Sequence, residues 1–253
     1  MEKLYSFSEF IGEAEMHSEL NASKLHFLKQ SVKGAWKMNS KGEIDVSGNV
    51  TCSKLLSGIP VQFGVVAGDF DCSGWKKLTS LKGSPRKVGG TFDCSYNENL
   101  VTLEGGPEEV VNFRGIGIGV KTLKGSPKIV KGYYYCQYSD SLESLEGAPR
   151  KVLSFNAAHC KLLVDLKGGP DEVFHAYNCT HCNNLKTLEG CPTEIGHLFQ
   201  CGNAPYEESL PQEQIELSKD AELLCTWAKS GYPPIPEFLH KKRGTIKGKE
   251  FGF

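Results

Sequence analysis

A five-residue punctuation mark recurs through the middle of the chain and limits what it can fold into. It reads Leu81-Lys-Gly-Ser-Pro85, then runs from Leu103 to Pro107, Leu123 to Pro127, Leu145 to Pro149, Leu166 to Pro170 and Leu188 to Pro192. Successive prolines fall 22, 20, 22, 21 and 22 residues apart. Three residues before each of these leucines stands another apolar residue: Leu78, Leu100, Val120, Leu142, Leu163 and Leu185. A degenerate copy ends at Pro60, and Leu210-Pro211 echoes the motif once more. Self-similarity at this period marks a stack of small units, none of which can bury its apolar edge alone.

Between the prolines the sequence alternates with the two-residue period of a strand. Val88-Gly-Gly-Thr-Phe92-Asp-Cys94 is the clearest copy. Aligned on the aromatic, the row is Phe70, Phe92, Phe113, Tyr134, Phe155, Tyr177 and Phe199. Two residues on come Cys72, Cys94, Gly115, Cys136, Ala157, Cys179 and Cys201, with Val50 and Cys52 one coil earlier. The pattern predicts a mainly β repeat solenoid of about eight coils over 36–205, each of 20–22 residues with short parallel strands. Gly115 and Ala157 predict local bending in their coils. A solenoid needs covers at its ends. Residues 1–35 are expected to supply a helical cap, from Phe7, Phe10, Ile11 and Ala14 and then Leu20, Leu25, Phe27 and Leu28. Residues 206–231 are expected to supply the other: one amphipathic helix over 211–230, opened by Pro211, ended by Gly231 and facing inward through Ile215, Leu217, Ala221, Leu224 and Ala228. The remainder, 232–253, is proline-broken and then basic from His240 to Lys249, a charge run read as solvated.

Composition excludes several function classes. With 39% apolar and 23% charged residues and a net charge of −1, the chain is neither disordered nor basic enough for a dedicated nucleic-acid or membrane-surface binder. No apolar run approaches the length of a membrane span, and the N-terminus is too acidic and broken for a secretory signal. A phosphate-binding loop, a nucleophile elbow and the H-E-x-x-H zinc motif are all missing. The sequence therefore predicts no catalytic residues, no small-molecule substrate and no cofactor.

The ten cysteines pose the main ambiguity. Cys179-Thr-His-Cys182, with His159, Cys160, His175, His181 and Cys191 nearby, superficially resembles a zinc site. The repeat register assigns most of these cysteines instead to two stacked rows, where a free thiol packs as a small hydrophobe. Paired CxxC spacing and the zinc-deaminase pattern are absent, and nothing argues for a disulfide framework. Asp71, Asp93 and Asp165 fall on outward or corner positions and read as solvated.

Residues flanking the inward aromatics point away from the core. They include Asn112 and Arg114, Tyr133 and Tyr135, Asn156 and Asn178. Exposed tyrosines beside an arginine are the residue types that dominate binding hot spots, whereas cross-strand aromatic pairing would merely support the sheet. On the first reading these six residues form a protein-binding face.

The repeat Leu-x-x-Leu-x-Gly-x-Pro-x-x-Val-x-x-x-Phe-x-Cys, as in Leu78 to Cys94, resembles a leucine-rich-repeat-like family of tailed bacteriophages, as does the entry segment from Gly42 to Gly64. This implies a fold and a viral origin but carries over no single activity. The segment from Tyr5 to Ala14 is similar to the capsid-targeting peptide of internal head proteins in T-even-like phages. That likeness implies processing at Ile11-Gly12-Glu13, with Ala14 as the new first residue; an ordinary helix start is the alternative. Together the resemblances imply a non-enzymatic protein acting in the host bacterial cytoplasm, either packaged in the virion head or made after infection. It would bind and inhibit a host protein, such as a defence or nuclease complex, as a monomer or weak oligomer. A structural virion component or adhesin is the second expectation. A zinc-dependent nucleic-acid enzyme is the third.

Overall fold

The computed structural model describes residues 20–52, 58–201 and 210–238. Its fourteen strands form one sheet: β1 (Val32–Lys33), β2 (Trp36–Met38), β3 (Ile44–Val46), β4 (Asn49–Thr51), β5 (Phe63–Val66), β6 (Phe70–Asp71), β7 (Lys87–Asp93), β8 (Glu109–Arg114), β9 (Ile129–Val130), β10 (Tyr133–Tyr135), β11 (Lys151–Asn156), β12 (Glu172–Asn178), β13 (Glu194–Ile195) and β14 (Leu198–Gln200). From β3 onward every pairing between successive coils is parallel, and the strands wind a mainly β solenoid of about seven turns. That is one turn fewer than the eight coils the repeat predicts.

Each coil contributes two short strand segments separated by a corner. Val88 pairs with Val110, Phe92 with Phe113, and the register shifts between them. The same shift separates the Val152–Val173 pair from the Phe155–Tyr177 pair. The cause is legible in the spacing: four residues run from Val88 to Phe92, but three from Val110 to Phe113. One coil therefore bulges where its neighbour does not, and coil length varies while the inward aromatics stay aligned. In β7 the corner requires glycine, whereas β12 turns its corner through Phe174 and His175. A Cβ on Gly89 would strike the carbonyl oxygen of Ala67 in the preceding coil.

The glycine of the Leu-x-Gly-x-Pro turn has two reasons to be there. At all six full copies, Gly83 to Gly190, φ lies between 79° and 98°, a region side chains rarely adopt. Any Cβ there would also press on the preceding coil. The residue before it alternates in charge along the stack: Lys82, Glu104, Lys124, Glu146, Lys167, Glu189. Lys124 and Lys167 meet the next coil's Glu146 and Glu189 at 3.0 and 2.7 Å. Exposed pairs of this kind contribute little energy, but a slipped register would set like charges together.

The core is a continuous file of rings from Phe70 to Phe199, with centroids 4.5–6.0 Å apart and neighbouring planes within 26° of parallel. Tyr134 can share this file because its hydroxyl meets Ser126 Oγ at 2.7 Å. Tyr177 has Gly169 at the equivalent position, and its buried hydroxyl has no hydrogen-bond partner. The strands end just before Gly115 and Ala157, but the backbone ladder continues past them, the Gly117 amide donating to Gln137 and the His159 amide to Thr180.

At the first edge the structure departs from expectation. Helix α1 (Ala22–Ser31), capped by the Asn21 side chain on the Lys24 amide, gives way at Val32 to β1 and β2, which pair antiparallel with β4 and β3. The expected helical segment to residue 35 is thus partly strand, and it masks the outer edge of the sheet. Phe27 lies 6.4 Å from Phe63. At the other end the single expected helix is two, α2 (Gln212–Ser218) and α3 (Ala221–Lys229), because Asp220 caps the second by accepting from the Leu223 amide. Gln214 Oε1 accepts from the Leu188 amide, and the Tyr232 hydroxyl donates to the Cys191 carbonyl at 3.2 Å. The proposed processing site at Glu13 and Ala14, and the basic run from His240, lie outside the described residues. Among the described residues no helix is long and apolar enough to cross a membrane.

Candidate functional site

The outward sheet face divides into residues that build the coil and residues that do not. Asn156 and Asn178 each turn the side-chain oxygen back onto the amide two residues ahead, Ala158 and Thr180, both at 2.9 Å. Asp71 and Asp93 do the same for Ser73 and Ser95, and Asp165 for Lys167, so these carboxylates are turn caps and not merely solvated charges. Asn112 accepts from the Tyr133 amide of the next coil at 3.2 Å. Half of the six expected binding residues thus serve the fold, a role their outward position alone does not reveal. Arg114 reaches the Asp93 carboxylate at 3.5 Å.

Tyr133 and Tyr135 are the exception. Both are half-buried, and their rings lean on one another with centroids 4.5 Å apart and planes 22° from parallel. Tyr133 pairs with Ser154, which pairs with Ala176, which pairs with Leu198. Leu153, Phe174 and Leu198 on these strands are exposed apolar side chains. Leu153 and Phe174 were not anticipated, because each falls beside a bulge where the two-residue alternation breaks.

A second row, also unanticipated, follows the inward cysteine by two residues: Gly74, Tyr96, Gly117, Tyr138, His159 and His181. All six have positive φ, between 59° and 63°. Glycine takes this conformation freely, whereas an ordinary residue is strained in it by about 1–2 kcal/mol. The four non-glycines project outward. Tyr138 stacks on His159 at 4.4 Å and His159 on His181 at 4.3 Å, both nearly parallel. Burial, then His181 and Lys161, hold the His159 imidazole below its usual pKa, against the opposite pull of Asp140. Glycine exchanging with tyrosine and histidine at one repeat position is the signal that could have exposed this row.

The cysteines lie where the rows placed them. All ten are free and all but Cys201 are buried. Cys160 and Cys182 occupy the inward position after the left-handed corner, with Cys182 Sγ donating to the Ala157 carbonyl at 3.2 Å. Burial pushes the Cys182 thiol up to about 11 and its neighbours higher still, so these sulfurs are poor nucleophiles at neutral pH. Among the described residues no three His, Cys, Asp or Glu side chains group as a metal site. An open depression of about 370 Å³ lies beside Gly58–Gln62, and one of about 300 Å³ beside Trp227 and Tyr232; neither is lined by histidine or cysteine. No family model, curated protein or solved structure matches the chain.

Proposed function

We propose that this is a non-enzymatic protein-binding solenoid of a tailed bacteriophage that docks its outward sheet face on a host protein and inhibits it. A defence or nuclease complex is the concrete form of target. The observation that carries the binding reading is the stacked, half-exposed Tyr133–Tyr135 pair, with exposed apolar Leu153, Phe174 and Leu198 on the strands that follow it in the sheet. Large apolar and aromatic groups left on the surface of a sheet mark contact sites. A rigid solenoid also presents them with little ordering cost on binding.

The phage setting, the leucine-rich-repeat-like identity of the coils and action in the host cytoplasm rest on the resemblance of the repeat. In this reading α1 caps one end of the coil stack, while α2 and α3 seat Ile215, Leu217, Leu224 and Trp227 against the other. Affinity purification from infected host cells tests the proposal with the native sequence and a Tyr133→Ala, Tyr135→Ala, Arg114→Ala variant. One stoichiometric host complex recovered by the first and lost by the second is expected. Equal recovery by a folded variant contradicts it. Discovery of the protein in purified virions at fixed, symmetric copy number, with no host complex, supports a structural component instead.

A further inference from the structure

We draw no further inference here: the strongest candidate, the apolar surface patch of exposed Leu153, Phe174 and Leu198 with the stacked His175–His197 pair on the last coils of the outward sheet face, belongs to the docking face already proposed, and nothing in the structure shows what covers it.

Discussion

The molecule carries two ring ladders built from the same repeat, one inside and one outside, and they obey different rules. The inner file from Phe70 to Phe199 has an aromatic in every coil, on extended backbone, fully or almost fully buried. The outer row holds tyrosine or histidine in only four coils, on left-handed backbone and in water, with glycine in the other two. Packing accounts for the first completely. In the second, stacking of Tyr138, His159 and His181 is set against a left-handed backbone strain that glycine would avoid.

The largest expected contrast comes from removing one ring from each ladder. Phe113→Ala opens a cavity in mid-file and should cost about 3–5 kcal/mol in denaturant unfolding. Tyr138→Ala on the outside should cost no more than about 1 kcal/mol, being a surface change that loses one stack. Similar losses at both sites would erase the distinction between the ladders.

Hydroxyls give a finer test inside the file. Tyr134→Phe removes a bond to half-buried Ser126, which should cost about 1 kcal/mol. Tyr177→Phe removes a buried hydroxyl that bonds to nothing, so its stability should stay level or rise by up to about 1 kcal/mol. If calorimetry ranks the pair the other way, the assignment of partners in the core is wrong.

The smallest effect is a pH dependence confined to the outer row. The His159 pKa is depressed in the folded chain, chiefly by burial and then by His181 and Lys161, from an ordinary 6.5. The unfolded chain therefore binds a proton more readily. The associated stability is present above the ordinary value and is lost as pH falls through it toward the lowered folded value. His159→Asn, which tolerates the same backbone, should show a shallower fall in melting temperature between pH 7.5 and 5 than the native chain. An equal slope in both proteins would remove His159 from the explanation.

The inner ladder was readable from sequence because burial at a fixed phase leaves a chemical signature: Phe or Tyr in one row, Cys, Gly or Ala two residues later. The outer row was not, because its constraint is on φ, and Gly117, Tyr138 and His159 share no polarity or size. The local bonds made by Asn112, Asn156 and Asn178 escaped notice for a related reason. Their outward direction was right, but short amide side chains bond the nearest backbone amides before they reach a partner. Tyr133 and Tyr135 survive as candidates because a phenol is too long for that local bond. Asp220 hid the break between α2 and α3 inside an otherwise continuous apolar face, although an aspartate before Ala-Glu-Leu-Leu is a start signal. The antiparallel β1 and β2 stand outside the repeat, so its period gave no sign of them.

The direct test of whether the outer row serves the fold or something beyond it is the unfolding free energy of Gly117→Tyr. The added ring should gain stacking on Tyr96 and Tyr138, about 0.5–1.5 kcal/mol each, against about 1–2 kcal/mol of left-handed strain. The account predicts stability within about 1 kcal/mol of the native chain, meaning that glycine at position 117 is not required for folding. A loss of about 3 kcal/mol or more, in the range of a core truncation, would show that Gly117 is a structural necessity and contradict it.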